Sequence, residues 1–221
     1  SETKVCQNCK ASFEIDAADF AFYAKIQVPS PTFCPKCRLQ RRLAFFNLRN
    51  LYQRKCDLCG EIKVSYYPPD APYKIYCPQC WWSDKWDHFA YGRDYDFSRP
   101  FFEQFNQLMH EVPLLGLSID LPTADTSPYN NHCGHLKNCY LLFHADTNED
   151  SAYGLVVFHS KEVFDSSLIL HSSLCYDSIY CWEDYNCIGV DHTMDSIDSF
   201  FLRESENCQN CFASANLRHK R

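Results

Sequence analysis

Eight of the fifteen cysteines fall in four Cys-x-x-Cys pairs: Cys6/Cys9, Cys34/Cys37, Cys56/Cys59 and Cys77/Cys80. Two thiolates separated by two residues can hold one ion from a tight knuckle. A second knuckle completes a tetrahedral site with sulfur–metal distances of about 2.3 Å. The gaps between paired knuckles, 24 residues from Cys9 to Cys34 and 17 from Cys59 to Cys77, suit a zinc ribbon or treble clef. Pro35, Pro78 and Gly60 are residues that knuckle turns favour. The expected arrangement is sequential, with Cys6, Cys9, Cys34 and Cys37 on one Zn2+ and Cys56, Cys59, Cys77 and Cys80 on another. Spacing alone leaves a cross-brace open. Four protein ligands leave no open coordination position, so the two ions would be structural and non-catalytic.

The chain must supply elements that position these thiols. The segment Glu14 to Tyr23 predicts a short helix capped by Asp16, with Pro29 and Pro31 ending it. Arg38 to Lys55 predicts a longer helix leaving the second knuckle. It would turn Leu39, Leu43, Phe46 and Leu48 inward and Arg38, Arg41, Arg42 and Arg49 outward. Residues 81–96, rich in Trp81, Trp82 and Trp86, suit a packed joint. A further core helix follows, capped by Ser98, with Phe101, Phe105, Leu108, Met109 and Val112 at three- and four-residue steps and Pro113 as its stop.

Bulk properties narrow the setting. An odd cysteine count and the Cys-x-x-Cys spacing favour metal over a disulfide framework. No charged-then-apolar leader is present, although the chain starts at Ser1, and no apolar run reaches the roughly 20 residues of a membrane helix. The expected compartment is cytoplasmic, without membrane contact. The formal net charge of -7 is unevenly spread. Residues 1–65 hold 11 Lys/Arg against 6 Asp/Glu, and residues 101–221 hold 6 against 17. A basic head and an acidic tail imply different partners for each. Arg38, Arg41, Arg42, Arg49, Arg54 and Lys55, with aromatics among them, form a candidate nucleic-acid surface that would act through phosphate. A solvated helix face explains the same residues equally well.

The second half repeats every twelve residues. Cys139, Ser151, Val163, Cys175, Cys187, Ser199 and Cys211 form one small-residue column. Cys133, Ala145, Val157, Ile169, Cys181, Thr193 and Ser205 form another, half a period away, with Cys208 just off both. Twelve residues suit one coil of a narrow β-solenoid with strands about 4.8 Å apart. Inward cysteines would be packing atoms. Their neighbours Tyr140, Phe164, Tyr176, Ile188, Phe200 and Phe212 would stack outside as an assembly ladder. Two other clusters invite a metal reading: His132/Cys133/His135/Cys139, and His159, His171, Glu183 and Asp195, spaced by twelve. The fold expected is therefore a small zinc-ribbon/treble-clef α+β head followed by an all-β solenoid of about 12 residues per coil. The expected divisions are 1–97 for a double zinc-ribbon domain, 98–130 for a connecting helix and linker, and 131–221 for the repeat.

The strings CQNC, VPSPTFCPKCRLQRR, YQRKCDLCG, YCPQCWWSDKWD and YGRDYDFSRPFFEQF, with KNCYLLF and ENCQNCF in the repeat, resemble a family of uncharacterised zinc-ribbon proteins. Its members are predicted from small-genome uncultivated bacteria and carry a cysteine-rich C-terminal repeat. The resemblance covers nearly the whole chain and implies no activity. Ser, Val, Ala or Thr stands here at several repeat positions where the family's pattern suggests cysteine. That departure counts against collective metal binding by the repeat. Three functions follow. One is a non-enzymatic zinc protein whose head contacts nucleic acid or a partner while the solenoid mediates assembly. Another is a structural homo-oligomer or filament. The third is a metal-dependent hydrolase or nuclease, against which stands the absence of histidine before His88.

Overall fold

The computed structural model describes residues 1–221, and contacts divide the chain into units Ser1–Asn47 and Leu48–Arg221. The first unit opens with an antiparallel hairpin, β1 (Glu2–Val5) and β2 (Ser12–Ile15), with Glu2 opposite Ile15. Helix α1 (Ala17–Lys25) follows, with Asp16 accepting the Asp19 amide at 2.7 Å as its N-cap. Helix α2 (Pro35–Leu43) begins at Cys34 with proline in its first turn. Phe13, Ile15, Phe20, Tyr23 and Phe33 pack around Cys6, Cys34 and Cys37.

The helix expected over Arg38 to Lys55 is shorter than its pattern. It ends at Leu43 in tight turns, the Phe45 and Phe46 amides donating to Arg42 and Leu43 carbonyls. No element covers the apolar residues expected inside, and Leu39, Leu43, Phe45 and Phe46 are exposed. Residues 52–55 instead form β3 (Tyr52–Lys55), which pairs antiparallel with β4 (Ile62–Ser65). Pairing with a neighbouring strand outweighs a marginal helical preference here.

In the second unit, that hairpin leads to β5 (Ile75–Tyr76), α3 (Pro78–Trp81), α4 (Phe101–Glu111) and β6 (Leu114–Leu115). Strands β5 and β6 run parallel, Ile75 opposite Leu114, and the Tyr66 and Gly116 amides add hydrogen bonds to the Gly116 and Tyr76 carbonyls. A Cβ at Gly116 would lie 2.8 Å from Ile75, so glycine is what lets the strands approach. This pairing joins the second cysteine module to the solenoid's unit, across the expected 1–97 grouping. Helix α4 buries no residue and exposes Phe101, Phe102 and Phe105, so it is not the expected core helix. Ser98 does not cap it. Pro100 holds that position, and the Ser98 hydroxyl donates to Asp96. Trp82 is exposed as well, although Trp81 and Trp86 pack around the second module.

The remainder is a β-solenoid of about eight turns, a 12-stranded parallel sheet running from Ala124–Asp125 to Arg218–Lys220. Coil stacking reaches back beyond residue 131, because Ile119 bridges Cys133 and Ala124 pairs with Leu136. The register is twelve throughout: Val157 opposes Ile169, which opposes Cys181, then Thr193, then Ser205. A shorter period lies inside it. From His132 to His219 every third residue is left-handed, with φ between 49° and 64°. Only Gly189 among them is glycine. Each such residue precedes an inward one, so a coil has four corners and four inward columns.

Left-handed backbone costs most residues about 1–2 kcal/mol each, and Asn, Asp and His tolerate it best. Accordingly 17 corner residues are Asn, Asp or His. What offsets the strain is a hydrogen-bond pattern available only inside the coil. An inward side chain at position i accepts the amide of residue i+12. Ser151 does so for Val163, Ser172 for Asp184, and Asn148 for Ser160. It also donates to the carbonyl two residues back: Ser160 to Phe158, Ser178 to Tyr176. Asn148 reaches the carbonyl nine residues on, at Val157, in addition. Small polar residues and cysteines thus fill the thin interior because each satisfies a buried amide or carbonyl.

Candidate metal centres

The two cysteine modules are built alike. In each, a hairpin carries the first knuckle: Cys6 to Cys9 joins β1 and β2, and Cys56 to Cys59 joins β3 and β4. The Cys6 amide donates to Ala11 and the Lys10 amide returns to the Cys6 carbonyl; Cys56, Glu61 and Gly60 repeat both bonds. The residue after the second cysteine is left-handed in both, Lys10 at φ 63° and Gly60 at φ 77°. The second knuckle opens a helix. Cys34 and Cys77 are N-caps followed by proline, and Cys37 and Cys80 lie in the first turn.

These elements bring the thiols together as the sequential reading expected. The four sulfurs of Cys6, Cys9, Cys34 and Cys37 lie within 4.8 Å of one another, as do those of Cys56, Cys59, Cys77 and Cys80. A tetrahedral ion with metal–sulfur bonds of about 2.3 Å requires sulfurs about 3.8 Å apart. The Cys9 and Cys34 sulfurs are 3.7 Å apart, the separation such an ion requires.

Backbone amides prepare one sulfur of each module for negative charge, while burial raises Cys77 and Cys80 and, against the Ala11 amide, the neighbouring thiols raise Cys9. The Cys34 amide donates to the Cys6 sulfur at 3.2 Å, and the Cys77 amide to the Cys56 sulfur at 3.3 Å. Burial opposes ionisation of Cys6, but donors from Cys34, Cys9 and Asn8 outweigh it and bring the thiol down to about 6. Cys56 is likewise opposed by burial and brought down by amides of Cys59, Cys77 and Leu58, to about 7. The side chain of Asn8 adds a donor to the Cys37 sulfur at 3.3 Å.

The solenoid treats sulfur the other way. Its cysteines all occupy inward columns, and burial dominates: Cys133, Cys175 and Cys187 are pushed up to about 12. Their sulfurs donate to carbonyls two residues back, at Asn131, Ser173 and Tyr185. Cys208 is buried at 1% exposure. It belongs to a further inward column with Asn148, Ser160, Ser172, Asp184 and Ser196, which the two-column reading missed.

No third group of His, Cys, Asp and Glu comes together as a ligand set. His132 and His135 are left-handed corner residues, while Cys133 and Cys139 are buried inside. His159 and His171 do align, their rings stacked at 4.9 Å and nearly parallel. Seven of the nine histidines are corners, which accounts for their spacing without any metal. The sequence carries only a partial trace of the corners, as Asn, Asp or His at 17 of them.

The basic residues have several roles. Arg54 is 8% exposed and donates to the carbonyls of Pro68, Ala71 and Tyr73 with an ion pair to Asp57, so it holds the second module's loop and is no free phosphate ligand. Arg38 reaches the Tyr23 hydroxyl, Arg41 lies over Phe33, and Arg49 over Phe143. Arg41, Arg42, Arg49 and Lys55 remain exposed. The ladder residues align across coils, Phe164 with Tyr176, then Ile188, Phe200 and Phe212. Tyr140 joins them through Ala152. Tyr140, Phe164, Tyr176 and Phe212 are exposed, and Ile188 and Phe200 half-buried. No helix is long and apolar enough to cross a membrane.

The chain matches no protein-family model, no curated protein and no solved structure.

Proposed function

We propose that the protein is a non-enzymatic scaffold, stapled by two Zn2+ ions and associating with further copies of itself through its solenoid. An all-thiolate tetrahedral set is the donor chemistry zinc prefers, and four ligands leave no position for substrate. The carrying observation is the in-register column of Tyr140, Phe164, Tyr176, Ile188, Phe200 and Phe212 on one outer face. A regular exposed apolar column is a surface suited to burial against a like surface. All fifteen cysteines are free, which fits a reducing, cytoplasmic setting. The test is mass in solution across protein concentration. A rising mass that Phe164→Ser, Tyr176→Ser and Phe200→Ser together abolish supports self-association. A monomer at every concentration refutes it.

A second reading adds nucleic acid. Residues 20–56 contain eight Lys/Arg and no Asp or Glu. Within the first unit, Arg41, Arg42, Phe45 and Phe46 are exposed. Contact would be to phosphate and free of sequence preference. Binding of generic RNA that weakens steeply with salt supports it, and no binding at about 50 mM salt removes it.

A further inference from the structure

A cleft of about 420 Å³ runs along the solenoid between two outer columns that the assembly ladder does not include. One wall is Tyr180, His192 and Glu204, successive corner residues twelve apart. The other is Trp182, Met194 and Glu206, aligned by strand pairing. The Tyr180 and His192 rings stack at 4.2 Å. Trp182 and Tyr180 are each 47% exposed, so they line the cleft with aromatic surface. The Trp182 ring nitrogen already donates to Glu183, which fixes the indole. The walls are thus apolar and aromatic in the middle and carry two carboxylates at one end. Arg218 also lines that end, in register with Glu206, but forms no ion pair with either acid; Glu206 accepts from the Asn207 side chain at 3.4 Å and Glu204 faces the cleft.

We infer that this cleft binds an arginine side chain presented by an extended peptide. A guanidinium stacks on the faces of Trp and Tyr and forks to carboxylates, and it is weakly hydrated enough to leave water for such a site. Anionic chains are repelled by the acids, so a nucleic acid or an acidic peptide does not fit. Length agrees too. Tyr180 to Glu204 spans two coil steps of about 4.8 Å, the reach of about three extended residues. The inference does not rest on self-association, since it uses different columns.

The test is titration of the metal-loaded full-length protein with the peptide Gly-Arg-Gly-Arg-Gly, followed by calorimetry. The same peptide with citrulline for arginine isolates the charge. The expected result is binding that the citrulline peptide loses at least tenfold. Glu204→Gln with Glu206→Gln, and separately Trp182→Ala, should each lose at least tenfold as well, with strand content by circular dichroism unchanged. Phe164→Ser with Tyr176→Ser, in the assembly ladder, should bind as the unaltered protein does. Equal binding of the arginine and citrulline peptides, or binding that the Glu204/Glu206 double variant retains, overturns the inference. So does the absence of binding at millimolar peptide.

Discussion

One cysteine of each module, Cys6 and Cys56, is shifted opposite to the cysteines of the solenoid, while Cys9, Cys77 and Cys80 go up as the solenoid thiols do. Around Cys6 and Cys56, knuckle turns aim several backbone amides at one sulfur, and both thiols come down despite burial. In the solenoid burial outweighs the backbone donors near each sulfur, and Cys133, Cys175 and Cys187 go up. The same residue can serve as a ligand where two knuckles bring four sulfurs together, and is a small hydrogen-bonding hydrophobe where it packs inside a coil. Residue type therefore says less than the balance between burial and backbone donors at each sulfur.

Chelation breaks the comparison most severely. Structural zinc contributes of order 10 kcal/mol to the fold it closes. Removal should unfold Ser1–Asn47 and loosen the second module while the solenoid strands persist. Hydrogen exchange resolved by segment checks this, and loss of protection over 131–221 on chelation would contradict it. The metal released should amount to about two ions per chain.

Single substitutions make the contrast within one chemistry. Cys56→Ser should release one ion of two, because serine is a poor zinc ligand. Cys187→Ser should keep both and cost no more than about 1.5 kcal/mol, since Ser199 and Ser151 already serve in the same column. Metal content by mass spectrometry, with a denaturant titration, reads both effects.

Thiol reactivity sharpens the same line. In the folded protein near neutral pH, Cys175 and Cys187 should resist alkylation, because burial keeps them as thiols and the attacking species is the thiolate. Peptide mapping of a timed reaction with iodoacetamide, with and without denaturant, checks this, and equal rates in the two conditions would contradict it.

The smallest effect concerns Asp184, a carboxylate inside the solenoid. It accepts from Thr193 at 2.5 Å and from the Ser196 amide at 2.8 Å, yet burial raises its pKa overall. A raised folded value means its stabilisation is complete below the ordinary carboxylate value and is lost as pH climbs through the raised one. Asn148 occupies the same column, accepts from the Ser160 amide and donates to the Val157 carbonyl nine residues on. Asp184→Asn can copy that pattern toward Thr193. It should gain about 1 kcal/mol at pH 7 and little near pH 4. Melting both proteins across that range checks the sign.

Much of this was legible in the sequence where the information is local or repeated. Cys-x-x-Cys spacing is a ligand geometry in itself, and the Asp16 cap sits three residues from its partner amide. The period of twelve was readable because seven coils impose one requirement seven times over. The ends of α2 and the exposure of α4 were not readable. A helical pattern states which face is apolar and says nothing about whether an element arrives to cover it. Cys208 was misplaced because its column mixes Asn, Ser, Asp and Cys, residues united by hydrogen bonding and divided by hydropathy.

What the sequence determined by itself is the four Cys-x-x-Cys knuckles and the coil length of the repeat, since both are fixed by spacing along the chain; which knuckles come together was left to the fold. Tertiary structure alone decided the rest. It made every third residue of the repeat left-handed, a conformation that is tolerable only when neighbouring coils satisfy the inward backbone. It lowered the Cys6 and Cys56 thiols, in part through amides brought from 28 residues away at Cys6 and 21 at Cys56. It also drew the second module into the solenoid's unit by a two-residue strand pairing at Ile75 and Tyr76. Contacts of that kind depend on where distant segments meet, and no local pattern records the meeting.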